Sequence, residues 1–242
     1  MTEPSYTELV AAVRREGEGL VAAAGMGLDA AVPACEGWAV RDLVGHVAGI
    51  YNRIANLVSS RATESPERIP LPDGEPVAVL NVLLDDLVAE LADCDPDTPM
   101  WNWSEGSPKV ARFWARRMAH ESAVHRFDAQ SAHGVLQPVD ADLAGDGIDE
   151  LIDVIANRVY ARDDVDGPTG TVRLVATDND PWSVDLLPDG IRRSDGSRAA
   201  DVTASGTSSA LLLAAYARVP WQSLEVAGDA TLLAAWTAAL NF

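Results

Sequence analysis

Lysine is almost missing from this chain. Lys109 is the only one, and arginine supplies every other basic residue. The 18 basic residues face 37 acidic ones, for a net charge of −19. That much negative charge repels phosphate, which argues against nucleic acid or an anionic membrane surface as partner. The acidic residues are dispersed, so they do not form a tail. Cysteine is scarce too. Cys35 and Cys94 stand far apart without a CxxC, which excludes a disulfide framework and suits reduced thiols in a cytosol. The opening MTEPSYTELV is acidic and polar, unlike a signal peptide. The longest apolar runs, such as ALLLAAYA at 210–217, fall far short of a membrane span. A soluble, cytoplasmic protein is expected. No GxSxG, P-loop or GxGxxG occurs, so the commonest hydrolase and nucleotide signals are missing. The wealth of Ala, Asp, Val and Arg points to a GC-rich bacterial genome.

What is present is a globular chain of 242 residues, 48% hydrophobic and 23% charged. That suffices for one large or two ordinary domains. Helical periodicity runs through 6–24, 39–62, 76–94 and 109–133, and again through 141–162. Asp42 sits in the first turn of the second helix, where a carboxylate suits the dipole. Gly134 ends the fourth. After the polar break DDVDGPTG (163–170) the texture changes to alternating apolar residues with Asp-Gly turns: 171–178, 181–190 and 191–205 read as an antiparallel meander. Two helices, 208–219 and 230–240, and a strand at 224–229 follow. The expected fold is mainly α. An up-and-down four-helix bundle with one extra helix fills 1–165, and a small α+β domain fills 166–242.

The fourth helix carries the chemistry. Trp114, Met118, Glu121, His125 and Asp128 share one face, an apolar stripe that turns into Glu, His and Asp. Glu121 and His125 are four apart, the spacing at which one helix offers a carboxylate oxygen and a ring nitrogen to one ion. His120 points about 100° away around the helix and is a poor partner. His46 on the second helix lies beside the stripe Leu43, Val47, Ile50, Ile54 and Leu57, facing the bundle interior or its edge. It is the candidate third ligand. One Glu and two His suit zinc, and three protein ligands leave a position open, the catalytic pattern. Asp128 could orient a ligating imidazole. His133 reads as a partner of the helix dipole, and Trp101 and Trp103 as packing or a pocket mouth.

These residues resemble a known family. W-x-x-x-D-L-x-x-H occurs as Trp38, Asp42, Leu43 and His46, and R-x-x-H-E-x-x-x-H-x-x-D as Arg117, His120, Glu121, His125 and Asp128. Together they closely resemble the mycothiol-dependent maleylpyruvate isomerase family of actinobacteria. The resemblance implies a DinB-like metal-binding bundle and a C-terminal domain similar to sterol-carrier proteins. It implies zinc on His46, Glu121 and His125, with mycothiol as thiol cosubstrate in the open position. In that family the thiolate adds to the double bond of maleylpyruvate, the resulting single bond rotates, and loss of the thiol gives fumarylpyruvate. Relatives transfer the activated thiol to other electrophiles. The family also implies a C-terminal arginine for the anionic substrate, yet 228–242 contains no arginine or lysine. Arg192, Arg193, Arg198 and Arg218 stay open, as do the catalytic and substrate-binding residues. Two other classes stay open beside the isomerase or S-transferase: a non-catalytic module that binds a metal or small ligand, and a zinc hydrolase that needs no thiol.

Overall fold

A computed structural model describes residues 3–162, 165 and 167–240. The chain divides into two compact units. Residues 4–103 and 107–137 make one, and 138–242 with short pieces at 1–3 and 104–106 make the other. The expected boundary at 163–170 thus lies inside the second unit, and its residues Asp163, Asp164 and Asp166 lie outside the described residues.

The first unit is a bundle of α1 (Tyr6–Ala24), α2 (Val40–Ser60), α3 (Pro76–Asp93) and α4 (Ala111–His133). Each start has a local cause. Ser5 and Glu8 form a capping box on α1. The Asp42 carboxylate accepts the Ala39 N–H at 2.9 Å and starts α2. Glu75 accepts the amides of Val77 and Ala78, with Pro76 at the first helical position of α3. Gly134, at φ 70°, closes α4 in the left-handed conformation that glycine adopts freely. The inward stripe of α2 includes Leu43, Val47, Tyr51, Ile54 and Leu57, all at most 3% exposed. Each such side chain contributes roughly 1.5–3 kcal/mol by leaving water.

Helix directions follow from the contacts. The Tyr6 hydroxyl donates to the Leu91 carbonyl at 2.8 Å, and Arg14 pairs with Asp85, so α1 and α3 run antiparallel. Arg126 binds Glu16 and Arg112 reaches the Pro4 carbonyl, so α1 and α4 run parallel. Tyr51 meets Ser122 while the Ala62 carbonyl accepts from the Trp101 amide, so α2 and α4 run antiparallel. The order is therefore up, down, down, up, which refines a sequential up-and-down bundle. The physical reason is the connection 61–75. At about 3.3 Å per extended residue it can reach roughly 50 Å, against roughly 30 Å for a helix of this length. Its prolines favour extension. It passes along α2, where Asn52 donates to the Pro70 carbonyl and Arg53 to that of Pro66.

In the second unit α5 (Ala141–Glu150) runs through a π turn (Leu151–Ile155) into α6 (Ala156–Tyr160), where an unbroken helix was expected. Five strands follow in the order β3 (Gly190–Arg193), β2 (Trp182–Leu187), β1 (Gly170–Ala176), β4 (Val202–Gly206), β5 (Glu225–Gly228). The meander holds for β1–β2–β3. The stretch 191–205 is not one strand: β4 returns to pair in parallel with β1, Val172 opposite Val202. In this register Val172, Leu174, Val184, Leu186, Val202 and Ala204 share one buried face. Helices α7 (Ser208–Ala215) and α8 (Ala230–Leu240) complete the unit. Polar ties hold the fifth helix here. Asn179 donates to the Ala141 carbonyl, the Val139 amide to Ser209, and Arg193 clamps Asp149 and Asp153 on either side of the π turn's start. Among the described residues no helix is long and apolar enough to cross a membrane.

Candidate metal centre

The bundle turns two of its helices toward one point. Asp42 sets where α2 begins, and His46 comes one turn later. Its ring lies 5.2 Å from that of Trp38, edge-on, and 5.1 Å from that of His125. On the antiparallel α4, Glu121 and His125 face it. His46 Nε2 is 3.6 Å from Glu121 Oε1, and His125 Nε2 is 3.1 Å from the same oxygen. The three donor atoms all lie within 4.8 Å of one another. The helix spacing thus brings together the three residues expected from sequence. His120 is fully buried and not among them.

Exposure is graded across the cluster. The side chains are 40% exposed at His46, 17% at Glu121 and 11% at His125. The cluster is therefore closed toward α4 and open to solvent beside His46. Asp128, fully buried, faces His125 Nδ1 at 2.9 Å. In neutral His125 this bond keeps the proton on Nδ1 and leaves a lone pair on Nε2. Arg117, one turn before Glu121, donates to the other carboxylate oxygen, Oε2, at 2.9 Å. Its role was missed in the sequence beyond its place in the motif. The Arg–x–x–x–Glu spacing was the available signal.

These contacts set the charge states. Burial alone would raise the Glu121 carboxyl. The charge and hydrogen bond of His125, the hydrogen bond of His46 and the charge of Arg117 outweigh it and hold the group well below the usual carboxylate range. Burial would lower His125. The Glu121 charge and the hydrogen bonds to Asp128 and Glu121 instead raise it to about 9. Without a cation between them, a carboxylate oxygen and two imidazole lone pairs would repel. A proton or a metal ion has to fill that place. A tetrahedral zinc ion about 2.1 Å from its ligands holds them about 3.4 Å apart. The two distances to Glu121 Oε1, 3.1 and 3.6 Å, bracket that spacing, and the donor types suit the ion.

The other sequence candidates lie elsewhere. Trp101 stacks on Trp114 at 6.0 Å, and Trp103 meets Phe113 edge-on at 5.2 Å. Both Trp pack the connection between α3 and α4. His133 stands in the last turn of α4. Of the arginines considered for substrate, Arg193 is engaged with Asp149 and Asp153, and Arg198 pairs with Asp185 at 2.9 Å.

A four-helix bundle with ligand-type side chains from two helices meeting at one point, followed by a small α+β unit, defines a DinB-like two-domain protein. Within that class the chain belongs to the mycothiol maleylpyruvate isomerase family. Residues 8–130 match the model described as "Mycothiol maleylpyruvate isomerase N-terminal domain", and residues 142–235 match "MDMPI C-terminal domain". No curated protein matches the chain in sequence. Its fold is similar to a crystal structure of the mycothiol-dependent maleylpyruvate isomerase, with a TM-score of 0.61 at 16% identity over 94% of this chain and 96% of that one. A histidine-to-alanine mutant of that isomerase gives 0.62 at 15% identity over the same shares.

Proposed function

We propose that this chain is a zinc-dependent, mycothiol-using enzyme of the cytoplasm, an isomerase or S-transferase acting on a small electrophile. His46, Glu121 and His125 are the zinc ligands in this reading, and Asp128 orients His125. The observation that carries it is the convergence of His46 Nε2, Glu121 Oε1 and His125 Nε2 on one solvent-reachable point. Family membership supports the thiol.

Zinc bound there would keep a thiol in its open position ionised at neutral pH. The chain's own residues prepare the place. Asp128 holds the His125 proton on Nδ1, so Nε2 is the free donor. Glu121 brings the negative charge that balances part of the ion's. The exposed side of His46 leaves room for an incoming thiol and an electrophile. No protein cysteine is needed: Cys94 is buried and Cys35 is outside the donor cluster.

The test is the zinc content of protein purified without a metal-affinity tag, with Glu121→Ala and His120→Ala alongside. About one zinc per chain is expected, lost in Glu121→Ala and kept in His120→Ala. Turnover of maleylpyruvate and other small electrophiles is then compared with and without mycothiol. Ester or amide turnover that ignores the thiol would make the protein a zinc hydrolase. A wild-type protein that takes up no zinc on incubation would leave a non-catalytic binding module.

A further inference from the structure

Glu121 divides its two carboxylate oxygens between different tasks. Oε1 faces both histidine nitrogens, at 3.1 and 3.6 Å. Oε2 accepts from Arg117 Nη2 at 2.9 Å. Arg117 is itself 6% exposed and sits one turn away on the same helix, so its guanidinium is held in place by its surroundings. A free carboxylate beside a divalent ion can bind through both oxygens and fill two positions. A carboxylate with one oxygen committed to a buried guanidinium offers only the other. We propose that Arg117 is the positioning residue that limits Glu121 to one oxygen, and so keeps a coordination position open for the thiol.

This inference rests on the metal-site reading. It adds a prediction about coordination that a merely structural arginine would not make. Without the Arg117 donor, Oε2 turns toward the ion. The site then holds four protein donor atoms instead of three, and the incoming thiol meets a more crowded ion.

The test loads cobalt(II), alone, into metal-free wild-type protein, Arg117→Met and Arg117→Lys, and reads the visible absorption spectrum. Wild type should show the intense bands of four-coordinate cobalt. Arg117→Met should lose that intensity and show the weaker bands of a higher-coordinate ion. Arg117→Lys, which keeps a charged donor in a site that tolerates a cation, should retain the wild-type spectrum. Circular dichroism confirms that each variant is folded. Band intensity in Arg117→Met equal to wild type would overturn the role of Arg117 and leave the metal site standing. A wild-type protein that binds no cobalt would overturn the metal site itself.

Discussion

Helix α4 carries two buried carboxylate clusters, one turn and a little apart, and they are built on opposite plans. In the first, Glu16 from α1 accepts from Arg126 Nε at 2.6 Å and from Arg15 at 2.9 Å. Arg126 Nη1 goes on to the Gln130 side chain at 2.7 Å and the Gln137 carbonyl at 3.1 Å. Gly19 makes room for it, since a Cβ there would stand 2.6 Å from Arg126 Cδ. Donors face acceptors throughout, so the cluster is complete as it stands. In the second, Glu121 Oε1 lies beside two imidazole nitrogens, and a proton on His125 fills the place that a metal ion could take. The first cluster sets how α1 and α4 pack. In the metal-site reading proposed above, the second exchanges that proton for an ion. The partners of the carboxylate separate the two: permanently charged guanidiniums at Glu16, and at Glu121 an oxygen shared by imidazoles, which can lose a proton.

The largest effect should come from breaking the complete cluster. Arg126→Met leaves the Glu16 carboxylate buried without its main partner and should cost about 3–5 kcal/mol of stability. Denaturant unfolding measures it. Zinc stoichiometry in the fraction that folds should stay at the wild-type value, which is what separates the two clusters. If metal is lost in proportion to nothing but this change, they are one network.

A smaller effect is expected at Asp128. Asp128→Asn keeps the shape but weakens the hold on His125, so zinc affinity should fall about 10- to 100-fold. A chelator competition reads it. An unchanged affinity would show that packing alone orients the ring.

The smallest effect is a dependence on pH in the metal-free protein. His125 is raised from 6.5 to about 9 by its carboxylate neighbours. A raised pKa stabilises the fold fully below about 6.5, and that contribution is lost as pH rises through about 9. Metal-free wild type should lose more stability between pH 7 and 10 than metal-free His125→Gln. Zinc uptake near pH 8 should also release a proton, seen by titration in two buffers of different ionisation enthalpy. Equal pH profiles for the two proteins would remove His125 as the titrating group.

How much of this was legible in the sequence depends on the range over which each feature is decided. Glu121 and His125 are four residues apart on one helix, and helix geometry alone puts them on one face. The starts of α1 to α3 follow from Ser5, Asp42 and Glu75, which act within one turn. The parallel pairing of β4 with β1 was not legible. Strand 202–206 alternates as well for a meander as for a crossover, and the choice waits for the whole buried face to assemble. The fifth helix reads as one more bundle helix by periodicity, and only its ties to Asn179, Ser209 and Arg193 place it in the second unit. The contact of Trp38, two residues before α2, with His46 inside that helix depends on how the chain enters the helix.

By itself, then, the sequence determined the helices, the face that carries Glu121, His125 and Asp128, and the acidic net charge. Those depend on spacing and composition, which are local or additive. Only the tertiary structure decided that His46 reaches the same oxygen as His125, and that Glu16 rather than solvent answers Arg126. Each of those is a contact between donors and acceptors that meet only after the chain has crossed the bundle along 61–75, and no local preference specifies where such groups meet.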